Sequence, residues 1–451
     1  MTQAIPASPA SDANTCEVLI IGGGPAGATM AALLARQGRK VVLLEKDRHP
    51  RFHIGESLLP ANVKLLEEMG LREQVEAIGM PKWGVEFVSP DHEHQSFLEF
   101  AEAWDKSMPM AWQGRRADFD QILFRHAAAS GATTIEGCKV RAVDFHTGGA
   151  TVESELDDGA VRRWSAKFVV DASGRDTLLA NQFKLKQKNP AHNSAALFGH
   201  FSGARRLEGQ REGNISIFWF AHGWFWFIPL ADGTTSVGAV CWPHYLKTRD
   251  KPLDEFFADT LAMCPRLSER LQDAHLVDQK VYATGNYSYG SSRSSGDRYL
   301  LLGDAYAFVD PVFSSGVYLA MASAFAGVEV VAATLDRPRE APAARRRFER
   351  HMRKGPADFS WFIFRMTNPA MRDLFMYPRN PLRVKEAVLA LLAGDIFGRS
   401  RYEWRLRLFK GIYYIGSMIN LPRTLRALRL RRENIRDVGA VKGENVVASA
   451  P

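Results

Sequence analysis

Residues Val18 to Met30 read VLIIGGGPAGATM, and the reading of this stretch decides the fold. Val18–Ile21 is an apolar, largely β-branched run, and Gly22, Gly24 and Gly27 follow at the spacing GxGxxG. Pro25 stands where a helix begins, with its φ already set and no N–H to leave unpaired. Outward from this centre, Glu17–Ile21 is expected to form a buried strand, Pro25–Gln37 a helix and Lys40–Glu45 a second strand. That is a βαβ opening. The glycines let the backbone turn tightly and approach a pyrophosphate, which rests on the positive end of the helix. Glu45 closes the second strand, where a carboxylate can hold a ribose hydroxyl pair. A lone GxGxxG could be a tight turn in any α/β protein. Here strand, helix and acid fall in register, so the unit predicts dinucleotide binding. By itself it does not separate FAD from NAD.

The remainder of the chain extends this core. Ser57–Glu68 reads as a helix stopped at Met69-Gly70, where a glycine suits the C-cap. Val85–Val88 and Phe97–Phe100 read as strands, Asp118–Ala129 as a helix closed by Ser130-Gly131, and Phe168–Asp171 as another apolar strand. From Ala195 to Val240, alternating and aromatic segments separated by Gly, Asp and Asn predict an antiparallel sheet. Tyr299–Leu302 returns to a buried strand, and Gly316–Thr334 is a long apolar helix. Beyond about Pro338 the pattern is helical and basic. The fold class expected is α/β, with a Rossmann-like module, an antiparallel substrate-side sheet and a helical C-terminal extension. The boundaries expected are a disordered tail over 1–14 and a core over 15–340, with its substrate-side sheet drawn from about 80–115 and 190–280. A helical region over 341–438 and a loose tail over 439–451 complete the chain.

Composition bounds the function classes. The 451 residues are 46% hydrophobic and 24% charged, the profile of a folded domain with ample core. Cys16, Cys138, Cys241 and Cys264 are scattered and form no CxxC pair, so neither a zinc site nor a disulfide framework is suggested. The opening residues lack a basic region followed by an apolar one, and no uninterrupted apolar run approaches membrane-spanning length. Cytoplasmic placement with no membrane span is the expectation. The formal charge of +8 is local, concentrated between Arg345 and Lys354 and between Arg423 and Arg436. Such runs are most often solvated helix faces. They also suit an acidic protein, a carrier protein or an anionic membrane surface. No recognition motif accompanies the charge, which argues against nucleic acid.

A later run, LLLGDAYAFVDP, holds Gly303 and Asp304 and leads through DPVFSSGVYLA (Asp310 to Ala320) into the apolar helix. This pattern resembles the flavin-contacting segment of the para-hydroxybenzoate hydroxylase-like flavoproteins, which makes the dinucleotide FAD. The resemblance implies that Asp304 binds the ribityl chain and that Ser315-Gly316 faces the isoalloxazine ring. Arg116, in GRRADFDQIL, resembles the arginine placed against FAD. Within that superfamily four features resemble the flavin-dependent halogenases of the phenol and pyrrole branch: RFHIGESLLP (Arg51 to Pro60), MPKWGVEF (Met80 to Phe87), WFWFIP (Trp224 to Pro229) and DPVFSSGVYLA. The FAD contacts so implied are Gly22, Gly24, Ala26, Gly27, Glu45, Lys46, Arg51, Ser57, Arg116, Asp304, Pro311 and Gly316, with halide held by Ser315 and Gly316.

On the residues alone, Trp224 and Trp226 share one face of a strand and Phe225 and Phe227 the other, so both faces are buried. In the family this element, here Trp224, Trp226, Ile228 and Pro229, walls the flavin off from the organic substrate. A walled-off substrate cannot take oxygen from the flavin, whereas a small halide still can. Lys82 would ordinarily be a solvated surface charge. Its flanks Pro81, Trp83 and Gly84 are unusual, and it matches the lysine that receives hypohalous acid in the family. Two roles stay open: a neutral amine forming a haloamine, which needs a pKa lowered by burial, or an ammonium that hydrogen-bonds the acid. Lys64 is a poorer candidate, since a helical lysine there faces water.

The reaction so implied takes FADH2 from a separate flavin reductase, O2, and chloride or bromide. It halogenates an electron-rich phenol or pyrrole, free or tethered to an acyl or peptidyl carrier protein. No match is found for the substrate-side glutamate of tryptophan-type halogenases, which disfavours free tryptophan. An aromatic hydroxylase and a non-catalytic flavoprotein are the rival readings. Trp361, Phe362 and Phe364 could line a substrate pocket, but helical core is the simpler reading.

Overall fold

A computed structural model describes residues 14–190, 192–397 and 402–436. The expected tails over 1–14 and 439–451 lie, apart from Asn14, outside the described residues. The opening motif folds as read, with strand β1 (Thr15–Ile21), helix α1 (Pro25–Arg36) and strand β2 (Val41–Leu44). β1 lies at the centre of a seven-stranded sheet, parallel to β2 on one side and to Val161–Asp171 on the other. Tyr299–Leu301 adds a further parallel strand beside Val169–Asp171. α1, the helix Arg116–Ala129 and the helix Gly316–Asp336 pack together over one face. The close fit comes from two glycines. Gly22 has φ +100°, and a Cβ there would stand 2.4 Å from the Ala172 carbonyl oxygen. A Cβ on Gly27 would stand 1.9 Å from the Gly22 carbonyl oxygen, so only glycine lets α1 meet the turn before it.

The second sheet has eight strands, with Gly223–Pro229 between Ile215–Phe220 and Thr235–Cys241, both antiparallel to it. Gly84–Val88 joins this sheet parallel to Ile215–Phe220, so the sheet is mixed rather than purely antiparallel. Trp224 and Trp226 pack on one side, with Phe198, Phe313 and Phe359. Phe225 and Phe227 pack on the other, beneath the helices Leu253–Ala262 and Pro265–Arg270. The alternation read from the sequence therefore holds, and both faces are covered.

The C-terminal helices share the core of this sheet. Phe359, Phe362, Met371, Phe375, Leu392 and Phe409 belong to the same apolar cluster as Trp224 and Trp226. Phe362 is core, as the simpler reading expected, and Trp361 and Phe364 pack against that core. The four cysteines are buried thiols.

Several expectations need correction. The helix expected from Ser57 begins at Pro60, because Ser57 is held in an isolated antiparallel bridge to Gln113 and the Leu58 amide donates to the Trp112 carbonyl. The strand expected over Phe97–Phe100 is Gln95–Glu99. The meander Cys138–His146, Gly149–Leu156 and Val161–Asp171 was read only at its last residues. Helix Gly316–Asp336 is long and apolar enough to cross a membrane by length and composition, which the sequence reading did not expect. Most of it is buried, as suits a core helix: Ala320, Met321 and Ala324 pack on α1 and the first sheet.

Candidate active site

A cleft of about 950 Å³ opens between the two sheets. It is lined by Gly22, Gly24 and Ala26 of the first turn, by Glu45 and Lys46 after β2, and by Arg51 and Ser57 of the following loop. Arg116, Asp304, Pro311, Ser315 and Gly316 close it from other parts of the chain, and Trp224, Trp226 and Ile228 form a wall. Besides Lys82, two sequence candidates do not line it. Gly27 serves the packing described above, and Pro229 ends its strand opposite Thr235.

The polar groups are held firmly. Glu45 accepts from the Gly23 amide at 2.6 Å and from the Asp47 amide at 3.0 Å, which orients its carboxylate at the end of β2. Arg116 forms a two-point ion pair with Asp120 at 2.8 and 3.0 Å and donates to the Ile54 carbonyl. Arg51 lies 3.4 Å from the same aspartate. Near these two arginines the half-buried His53 is pushed down to about 3, mainly by desolvation, so its ring is neutral. Burial raises the Asp304 carboxyl to about 6, against the opposing pull of Arg175 and Arg116. Lys46 is anchored to Asp176 at 2.7 Å.

The cleft suits FAD. Its volume is that of a cofactor pocket. A Cβ on Gly24 would come no closer than 3.5 Å to anything, so the backbone is open there to a pyrophosphate at the start of α1. Glu45 and Asp304 both line this cleft, and their carboxylates could hold hydroxyl groups of the cofactor. The first turn of helix Gly316–Asp336 presents amides with no intrahelical acceptor. Two polar atoms of cleft-lining residues, Arg51 Nε and Glu56 Oε2, are buried and have no partner among the described residues.

Lys82 sits elsewhere. It ends the short strand Met80–Lys82, paired with Ala111–Gln113, and is 1% exposed. Its Nζ donates to Ser57 Oγ at 2.9 Å and to the Leu58 carbonyl at 3.0 Å, and lies 5.3 Å from the Phe100 ring centre. Burial drives the ammonium from 10.5 to about 7. Lys82 borders a separate void of about 10 Å³, room for roughly one water. Leu59, Val85, Phe87, Phe100, Val312 and Phe313 are among its walls, and no carboxylate lines it among the described residues. Ile215 and Ser314 border both this void and the cleft. Ser57 also borders the cleft while holding Lys82. Lys64, by contrast, is exposed and paired with Asp105.

Three groups were not foreseen. Glu56 reaches the cleft and bonds His200 Nε2 at 2.8 Å. Asp310 accepts from Ser194 Oγ at 2.8 Å, bonds His192 Nε2 at 2.9 Å, and caps the Pro311–Phe313 turn through the Val312 amide. Gly238 faces Trp226 so closely that a Cβ would meet the indole at 2.2 Å, while Trp226 Nε1 donates to Ser236 Oγ at 3.1 Å. The acid in GES and the aspartate in DPV were visible as polar residues inside apolar runs; their partners, more than 100 residues away, were not.

Fold and cleft define a FAD-binding flavoprotein, and a family model for the FAD binding domain matches residues 15–341. A flavin-dependent halogenase of Armillaria mellea is 35% identical over 346 residues, which cover 71% of this chain and 68% of that one. The 1H-pyrrole-2-carbonyl-(peptidyl-carrier protein) chlorinase of Pseudomonas fluorescens is 32% identical over 415 residues, covering 86% and 91%. The solved structure of the myxobacterial chondrochloren halogenase superposes with a TM-score of 0.75 at 28% identity, over 90% of this chain and 97% of that one. The chain belongs to the flavin-dependent halogenases, and is an oxidoreductase.

Proposed function

We propose that this enzyme makes hypohalous acid in the cleft and delivers it to Lys82, which presents electrophilic halogen to an electron-rich aromatic ring. The observation that carries the reading is the setting of Lys82: fully buried, without a carboxylate partner, and separated from the cleft by Ser57, Ile215 and Ser314. Bound FADH2 with O2 supplies the oxidation: halide, one proton, FADH2 and O2 give hypohalous acid, FAD and water. Everything else falls to the chain. The first-turn amides at Ser315 and Gly316 hold the halide, since a helix start favours an anion. Trp224, Trp226 and Ile228 keep the organic substrate away from the cofactor.

Lys82 can act in either protonation state, because an amine near 7 populates both at neutral pH. Two of its N–H bonds are committed to Ser57 and Leu58. The neutral form keeps its lone pair for the void, where attack on hypohalous acid forms an N–halogen bond and releases water. The charged form keeps a third N–H to polarise the acid. In both cases the ring gains halogen and loses a proton.

The apolar walls around Lys82 support a phenol or pyrrole, which is reactive enough to need no carboxylate. The likeness to a chlorinase of a carrier-bound pyrrole supports a tethered substrate as well as a free one. A separate flavin reductase is the remaining partner, and the cytoplasm the place of work.

The test mixes protein, FAD, a flavin reductase, NADH and a pool of free and carrier-bound phenols and pyrroles, with bromide, chloride or neither. Product masses are compared between wild type and Lys82→Ala. The expected result is halide-dependent halogenation that disappears in the variant. Halide-independent oxygen insertion would overturn the reading and make the enzyme a hydroxylase.

A further inference from the structure

The last two described helices, Glu403–Ile419 and Leu421–Arg436, carry a surface that the reaction does not use. Ile415, Met418, Ile419, Leu421, Leu425 and Leu428 are between 40% and 76% exposed. Their spacing places them on one stripe of each helix: 415, 418 and 419 at i, i+3, i+4, and 421, 425 and 428 at i, i+4, i+7. Trp404, 49% exposed, lies on the same stripe three turns before Ile415. Only Asn420 separates the two helices, so the stripes meet at the turn. Soluble surfaces carry scattered apolar residues; a contiguous run of large aliphatic ones marks a contact.

The charge around this stripe is predominantly positive. Between residues 403 and 436 the sequence holds nine Lys and Arg against two Glu. Arg423 is engaged by Asp91 and Asp373, and Arg431 by the Phe364 carbonyl. Arg426, Arg429 and Arg432 are exposed and make no ion pair among the described residues. At 100° per residue, Arg432 continues the apolar stripe and Arg429 flanks it. Guanidinium groups bordering a long aliphatic stripe, with an indole at one end, are the chemistry of a helix that lies in a lipid interface.

We infer that these two helices dock the enzyme on an anionic bilayer, lying in the headgroup region and not spanning it. A second copy fits worse, because an isologous contact would bring two strongly basic faces together. An acidic protein would answer the arginines but would need a groove shaped to two convex aliphatic stripes, whereas hydrocarbon needs none. Helix Val384–Leu392, whose last residue borders the Lys82 void, packs against Glu403–Ile419. One helix thus links the docking face to the halogenation site.

The test is co-sedimentation of the full chain with vesicles of phosphatidylcholine alone or with 30% phosphatidylglycerol. Binding should be about tenfold tighter to the anionic vesicles and weaken at 0.5 M salt. It should be lost in Ile415→Asp/Met418→Asp/Leu425→Asp and, separately, in Arg426→Glu/Arg429→Glu/Arg432→Glu. All six side chains changed are exposed, and unchanged FAD absorbance in the variants confirms an intact fold. Equal affinity for both vesicle types would overturn the inference, as would binding untouched by either variant. A dimer in light scattering that the aspartate variant dissolves, without vesicle binding, would instead assign the face to a second copy. Capture of an acidic carrier protein in place of vesicles would assign it to that partner.

Discussion

Replacing Lys82 with methionine should remove halogenated product and, at the same time, make the protein more stable relative to wild type in acid than in base. Lowering an amine from 10.5 to about 7 by burial corresponds to about 5 kcal/mol against the charged native state. Below pH 7 the lysine is protonated folded and unfolded, so that penalty is fully present. Between 7 and 10.5 the unfolded chain still binds the proton while the folded chain does not, and native stability rises with pH. Above 10.5 both are neutral and the penalty is gone. Methionine keeps most of the buried stem but strips the donor from Ser57 and the Leu58 carbonyl, each a loss of about 1–3 kcal/mol. Against that penalty, the two losses together of about 2–6 kcal/mol leave the variant within about 3 kcal/mol of wild type at pH 6, and its stability relative to wild type should fall by about 3 kcal/mol between pH 6 and pH 9. At about 2.1 cal/mol/K per residue, 451 residues shift Tm by about 1 °C per kcal/mol. Thermal melts of both proteins in matched buffers at pH 6, 7.5 and 9 read this directly. A Tm difference that does not change with pH would refute the buried-charge reasoning, even if activity were lost.

Other expectations follow from the same geometry. Gly238→Ala drives a methyl into the Trp226 indole and should cost about 1–3 kcal/mol; tryptophan fluorescence should shift, and halogenated product per O2 consumed should fall. Asp304→Asn should weaken FAD binding by about 2 kcal/mol, near thirtyfold, in a fluorescence titration. Because the Asp304 carboxyl titrates near 6, wild-type affinity should drop as pH falls from 7.5 to 5, and the variant should stay flat. His192→Ala leaves Asp310 with Ser194 and the Val312 amide only. As a positioning residue for the turn before Ser315, it should raise the halide KM several-fold while FAD affinity holds.

Legibility followed the range of the interactions. The Gly22–Gly24–Gly27 turn, the strands around it and Glu45 are local chemistry, written within thirty residues. The meander from Cys138 to Asp171 could have been read as well, since CKVRAVDFH largely alternates buried and exposed positions. Its outward face is so charged that composition masked the alternation. The Ser57 start failed because propensity suggested a helix, whereas a bridge to Gln113 and a bond to Lys82 hold that residue extended. The eight-stranded sheet was foreseen for its central strands, but the parallel entry of Gly84–Val88 was not. Nothing local to those five residues announces a partner at Ile215.

Short stretches of sequence specify the dinucleotide cradle, the buried aromatic strand at Trp224 and Trp226, and the halogenase family of the chain. Motifs of that kind need only backbone geometry and side-chain alternation, both set by near neighbours. The environment of Lys82 depends instead on how distant segments pack. A lysine between proline and tryptophan reads the same in solvent as in a core. Its burial, its lowered pKa and its two acceptors come from Phe100, Ser57 and Leu58, brought together by strand pairing with Ala111–Gln113. Desolvation is a property of everything that surrounds a group, and no stretch of sequence contains its own surroundings.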